Sequence, residues 1–148
     1  MKWSIIRKLL ITALIVLIVI QFISIDKTNP PVKLDQDFIS ITNPPSNVAS
    51  MLKAACYDCH SHETKFPWYT NVQPVAWWIK GHVKGGKRKL NYSEWATYDP
   101  EKQSHKIQES IEEVETNHMP LKSYTWTHPD ANLSHSDREQ LIQWLRTL

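Results

Sequence analysis

The chain has 148 residues, with 17 Lys and Arg against 15 Asp and Glu, for a formal charge of +2. Three of those cations, Lys2, Arg7 and Lys8, precede the first apolar run, so the rest of the chain is close to neutral and nothing in its charge balance suggests a nucleic-acid partner. Glycine is scarce and no long β-branched alternation occurs, which excludes a strand-rich fold and points to an all-α one.

The run from Leu9 to Ile25 is interrupted only by Thr12, Gln21 and Ser24. Its length is at the short end of a membrane span. Cations ahead of it hold the N-terminus in the cytoplasm and send the remainder across. The exit, Gln21-Phe22-Ile23-Ser24-Ile25-Asp26, has no small-residue cleavage site, so residues 1–25 are expected to stay as an anchor. Residues 26–45, bracketed by Pro30-Pro31 and Pro44-Pro45, read as an extended tether. Residues 46–148 are then one ordinary domain outside the cytoplasm.

That domain opens with a helix over 46–55, where Val48, Met51, Leu52 and Ala55 share a face. The helix delivers the chain into Cys56-Tyr57-Asp58-Cys59-His60. A Cys-x-x-Cys-His run is the attachment signature of c-type haem: two thiols for two vinyl groups, and an imidazole for one face of the iron. These are the only two cysteines in the chain. A structural zinc site would need a second ligand pair, and a redox dithiol would sit in a βαβ setting. A plain Cys56–Cys59 disulfide is the remaining rival.

A second helix is expected from Pro74, with Val75, Trp78, Ile79, His82 and Val83 as its apolar stripe and Gly85-Gly86 as its stop. Asn91 to Trp95 reads as a turn into a short helix. A third begins at Asp99-Pro100, buries Ile107, Ile111 and Val114, and stops at Asn117. The last starts after Ser134 or Ser136, with a capping box expected from Ser136 to Glu139.

His60 supplies one axial iron ligand, and Met119 is the first choice for the other. Unlike Met51, it belongs to no apolar stripe and lies in the polar loop Thr116-Asn117-His118-Met119-Pro120. His82 and His118 are its rivals. His62, His105, His128 and His135 are expected to be solvated. Trp68, Trp77, Trp78, Trp95 and Trp126 either wall a haem pocket or pack as core. In the basic run Lys84, Lys87, Arg88, Lys89, the forked Arg88 suits a haem propionate best.

Cys-Tyr-Asp-Cys-His-Ser-His-Glu-Thr (56–64), Pro67-Trp68-Tyr69, His82-Val83, Leu90 to Trp95, Glu101-Lys102-Gln103 and Met119 to Tyr124 together resemble the bacterial haem-binding domain family. Those proteins are membrane-anchored and cytochrome-c-like. The resemblance runs from about Asp35 to the C-terminus and implies a helical domain with long loops, one covalent haem c on Cys56 and Cys59, proximal His60 and distal Met119. Two positions depart from it: Asn117-His118 stands where the family has Gly-Glu, and Gly86-Lys87-Arg88 where it has Gly-Arg.

The expected function is a one-electron carrier, held on the periplasmic side of a bacterial inner membrane by a single-pass anchor and serving a redox protein partner. The alternative is a haem peroxidase or small-ligand sensor in which the sixth ligand leaves; His118 or His82 would then act as acid or base.

Overall fold

The computed structural model describes residues 2–148; Met1 and the side chain of Lys2, part of the cationic leader, lie outside what is described. The described residues form helices joined by loops, with no strand among them.

Helix α1 spans Lys2–Ile20. Its window Trp3–Ile20 has a mean hydropathy of 2.3 and none of it is buried, so it is long and apolar enough to cross a membrane. The apolar run continues to Ile25 but the helix does not. At Gln21 the side chain pairs with the Gln73 backbone instead: its amide donates to the Gln73 carbonyl (3.1 Å) and its oxygen accepts the Gln73 N–H (2.9 Å).

The segment read as tether is not extended throughout. Helix α2, Phe38–Thr42, starts where the Asp37 carboxylate accepts the Ser40 N–H at 3.2 Å. Phe38 is 1% exposed, with its ring centroid 4.8 Å from Tyr92 and 4.7 Å from Trp95. Phe38 thus belongs to the domain core.

Helix α3 is Ser46–Ala55 and α4 is Tyr57–His60, with Cys56 as the joint between them. Val48 and Leu52 of α3 are buried as their spacing requires. Helix α5, Val75–Lys89, runs through Gly85-Gly86 and does not stop there. The reason is close packing: a Cβ on Gly86 would lie 2.6 Å from the Cys59 carbonyl oxygen. Gly86 lets α4 approach α5 rather than ending α5.

Helix α6, Pro100–Glu115, has the expected Asp99 cap, its carboxylate accepting the Lys102 N–H at 2.8 Å. Asn117 follows in the left-handed region at φ 60°, a common conformation just past a helix end. Helix α7 is the short Lys122–Thr125, and α8 is His135–Leu145. The α8 capping box lies one pair upstream of the expected one: Ser134 caps and Asp137 reciprocates. Leu141, Ile142 and Leu145 of α8 join Ile111, Val114, Val48, Leu52 and the aromatic group around Phe38 in one core.

Candidate functional site

The Cys56–His60 turn has two faces. Tyr57 points into the core, 1% exposed, stacked on Tyr92 at 5.2 Å and donating its hydroxyl to the Asp37 carboxylate at 3.1 Å. Cys56, Cys59 and His60 are half-buried and line cavities on the other side. Both thiols are free. Burial, then the neighbouring Cys59, pushes Cys56 up to about 12; burial, then the Asp58 charge, pushes Cys59 up to about 11. Buried in this way, both thiols rest protonated near pH 7. Among the described residues no three His, Cys, Asp or Glu side chains gather as a metal cluster.

His60 is held from behind. Its Nδ1–H donates to the Leu90 carbonyl at 3.1 Å. The Nε2 lone pair is thereby left free, which is the tautomer a metal-binding histidine uses. Burial holds the imidazole below its ordinary 6.5, so the ring is neutral near pH 7.

Two cavities, of about 490 and about 370 Å³, share Ala55, His60, Lys89 and Met119. Cys59 lines the larger and Cys56 the smaller. The larger is walled by Trp77, Trp78, Leu121 and Tyr124. His60 and Met119 thus line both cavities, and each cavity has one thiol in its lining. The donor set, one neutral imidazole and one thioether, matches the axial ligands of haem. The residues present therefore fit the group.

Met119 is fixed at both ends of its peptide unit. Its N–H donates to the Glu113 carbonyl at 2.9 Å, closing the end of α6. Its carbonyl accepts from Arg138 Nη1 at 2.8 Å, and the same nitrogen reaches the Val114 carbonyl at 2.9 Å. The rival His82 is also half-buried and lines the larger cavity, its Nδ1 2.9 Å from the Trp78 carbonyl. His118 is exposed and lines neither cavity; its Nδ1 lies 3.2 Å from Thr116 Oγ1.

Arg88 is not brought to the site. It is exposed and lines neither cavity, whereas Lys89 lines both. The tryptophans divide: Trp95 is core, Trp77 and Trp78 wall the cleft, and Trp126 is 81% exposed. His62 and His128 are not solvated as expected. His62 Nε2 faces Asn91 at 3.0 Å, and His128 stacks on Tyr124 at 4.0 Å. His105 and His135 are exposed.

Sequence reasoning missed one pair inside the motif itself. Asp58, 8% exposed, accepts the Tyr124 hydroxyl at 2.7 Å, and the Lys65 N–H at 3.3 Å. The pair ties the residue between the two cysteines to the segment that follows Met119. Burial, then the bond to Asp58, pushes the Tyr124 phenol above its ordinary value. The available signal was a carboxylate between two thiols, with a lone tyrosine five residues beyond the candidate methionine.

No curated protein and no solved structure matches the chain. One family does, described as a haem-binding domain, over residues 15–147.

Proposed function

The chain belongs to the haem-binding domain family, and we propose that it holds one covalent haem c on Cys56 and Cys59, with His60 and Met119 as axial ligands, and carries single electrons outside the cytoplasm. The observation that carries this is that His60 and Met119 line both cavities, with one thiol in the lining of each. Haem iron supplies a one-electron change of valence.

The residues supply the rest. The Leu90 carbonyl fixes the His60 ring and raises its basicity. Arg138 and the end of α6 fix the Met119 backbone, so its thioether is presented from a rigid loop. A thioether opposite an imidazole favours the ferrous state and raises the potential. Trp77, Trp78 and Leu121 line the cleft with apolar surface that would shield a bound ring from water. With both axial positions filled by the chain, no position is left for a substrate. Lys89, at the cleft, is better placed than Arg88 to meet a propionate. The cations Lys2, Arg7 and Lys8 in the first turns of α1, ahead of its apolar run, support a single-pass anchor in a bacterial inner membrane with the domain on the periplasmic side. Such a tether raises the effective concentration at a membrane-bound redox partner.

The test is made on the full chain, expressed with extracytoplasmic haem attachment. On a denaturing gel, haem-peroxidase colour should travel with the polypeptide. Colour lost on denaturation, with both thiols titrating free, overturns covalent attachment. Met119→Ala should abolish the long-wavelength sulfur-to-iron band of the ferric protein and lower the reduction potential while the haem stays bound. If the parent lacks that band, and His82→Ala alters the axial spectrum while Met119→Ala does not, the axial pair is two histidines.

A further inference from the structure

The start of α5 and the turn before it expose apolar side chains: Trp68 is 76% exposed, Val72 43%, Val75 42% and Trp77 38%. Val75 is turned about 200° from Trp77 around α5, whereas Trp77 and Lys80 share one face.

The chain leaving α1 is stitched to this face. Gln21, the first residue after α1, is paired in both directions with the Gln73 backbone. The Ile23 carbonyl accepts from Gln73 Nε2 at 2.9 Å and from Trp77 Nε1 at 3.1 Å. Lys80 donates to the Asp26 carbonyl at 3.1 Å, and Lys27 to Asn71 Oδ1 at 2.5 Å. The connection is therefore short and fixed.

Length decides where the face lies. Ile23 is three residues beyond the end of α1, so even fully extended it is no more than about 11 Å from it. The headgroup layer on one side of a bilayer is roughly 5–8 Å deep. Phe22, 85% exposed, sits in the same short connection. Tryptophan and phenylalanine at this depth suit a zone that is apolar below and wet above, and Lys27 and Lys80 suit anionic headgroups.

We propose that the Trp77 and Lys80 face of α5, with the adjoining Val72 and the exposed Phe22, lies in the headgroup layer of the bilayer that α1 spans, with the lipid surface as its partner. This rests on reading α1 as a membrane span. It turns the Trp77 wall of the larger, Cys59-side cavity toward the membrane.

The experiment uses the full haem-loaded chain in vesicles of phosphatidylcholine and phosphatidylglycerol. The vesicles carry a phospholipid with a photoreactive diazirine near the headgroup, and adducts are mapped by mass spectrometry. The expected result is flotation with the vesicles, adducts on the peptide holding Trp68 to Trp77, and none on the exposed Glu112 side of α6. A chain that floats but carries adducts only on α1 and the residues up to Ile25 overturns the proposal and leaves the span intact. A chain that does not float overturns the span, and the proposal falls with it.

Discussion

One side of the Cys56–His60 turn is finished by the protein, and the other is not. On the finished side Tyr57, Phe38, Tyr92 and Trp95 are each under 5% exposed and lie ring against ring. On the open side Trp77 and Trp78 of α5 are 38% and 51% exposed around cavities that reach the thiols. Both regions are aromatic, so composition does not distinguish them. The difference is what each aromatic ring packs against. The finished side sets the position of the turn from behind; the open side keeps apolar surface available for a group that is not polypeptide. That division lets a small domain hold two thiols and an imidazole in register.

The comparison predicts unequal costs. Leu52 of α3 is 1% exposed behind the motif. Leu52→Ala should cost about 2–5 kcal/mol, the range for a buried leucine that leaves a cavity. Trp78→Ala removes a larger side chain from the open side, yet should change the stability of the haem-free chain by no more than about 0.5 kcal/mol. Urea unfolding of both variants checks this. Equal costs would break the division between a finished and an open side.

Gly86 is where the two regions touch, and the next largest effect is expected there. Alanine gains about 1 kcal/mol of helix propensity over glycine. A Cβ at 2.6 Å from the Cys59 carbonyl oxygen must push α4 off α5, and overpacking costs about 1–3 kcal/mol. The obstacle is backbone, so the strain should win and Gly86→Ala should destabilise. Gly85 meets nothing within 4 Å, and Gly85→Ala should be neutral or slightly stabilising. Thermal unfolding of the pair decides whether close approach or helix propensity governs this glycine step.

What the sequence made legible was local. The α3 stripe, the Asp99 cap and the Asn117 stop are set by residues within a few positions of one another, and each stands where expected. What it hid was long-range or degenerate. Phe38, Ile39 and Ile41 were visible as apolar residues able to pack on the domain, but the partners of Phe38, Tyr92 and Trp95, are more than fifty residues away. Gly85-Gly86 carries the same letters whether it ends a helix or admits a neighbour. Ser134 and Ser136 each have an acid three residues on, and only tertiary placement selected Ser134. In the basic run, one residue along a helix is a rotation of about 100°, enough to take Arg88 out of the cleft and put Lys89 in it. The Cys-x-x-Cys-His motif is legible because three specified residues stand at fixed spacing within five positions. The second axial position is harder to read because the candidate methionine lies on another element, α6's end, and is positioned by Arg138 of α8.

The smallest expected effect lies at that α8 end, on the finished side. Asp137 closes the capping box: its carboxylate accepts from Ser134 Oγ at 2.7 Å and from the Ser134 N–H at 2.9 Å. The Ser134 hydroxyl first, then the Ser134 N–H, hold its carboxyl below the ordinary 3.8. The unfolded chain, lacking these bonds, takes up its proton near 3.8, before the folded chain does. Between the two values the unfolded state binds more protons, so stability falls as pH falls through that window. Above 3.8 the contribution is fully present. Asp137→Asn should therefore lower the denaturant midpoint slightly near pH 7, and the gap from the parent should narrow as pH drops below 3.8. Arg138 is the next residue and grips the Met119 carbonyl, so the axial spectrum of the variant is the second readout. It should stay unchanged, because α8 is fixed by Leu141, Ile142 and Leu145 as well as by its cap. A gap that is constant with pH would show that the carboxylate charge does not act through the cap. A changed axial spectrum would show that the finished side reaches Met119 through α8 more directly than its packing implies.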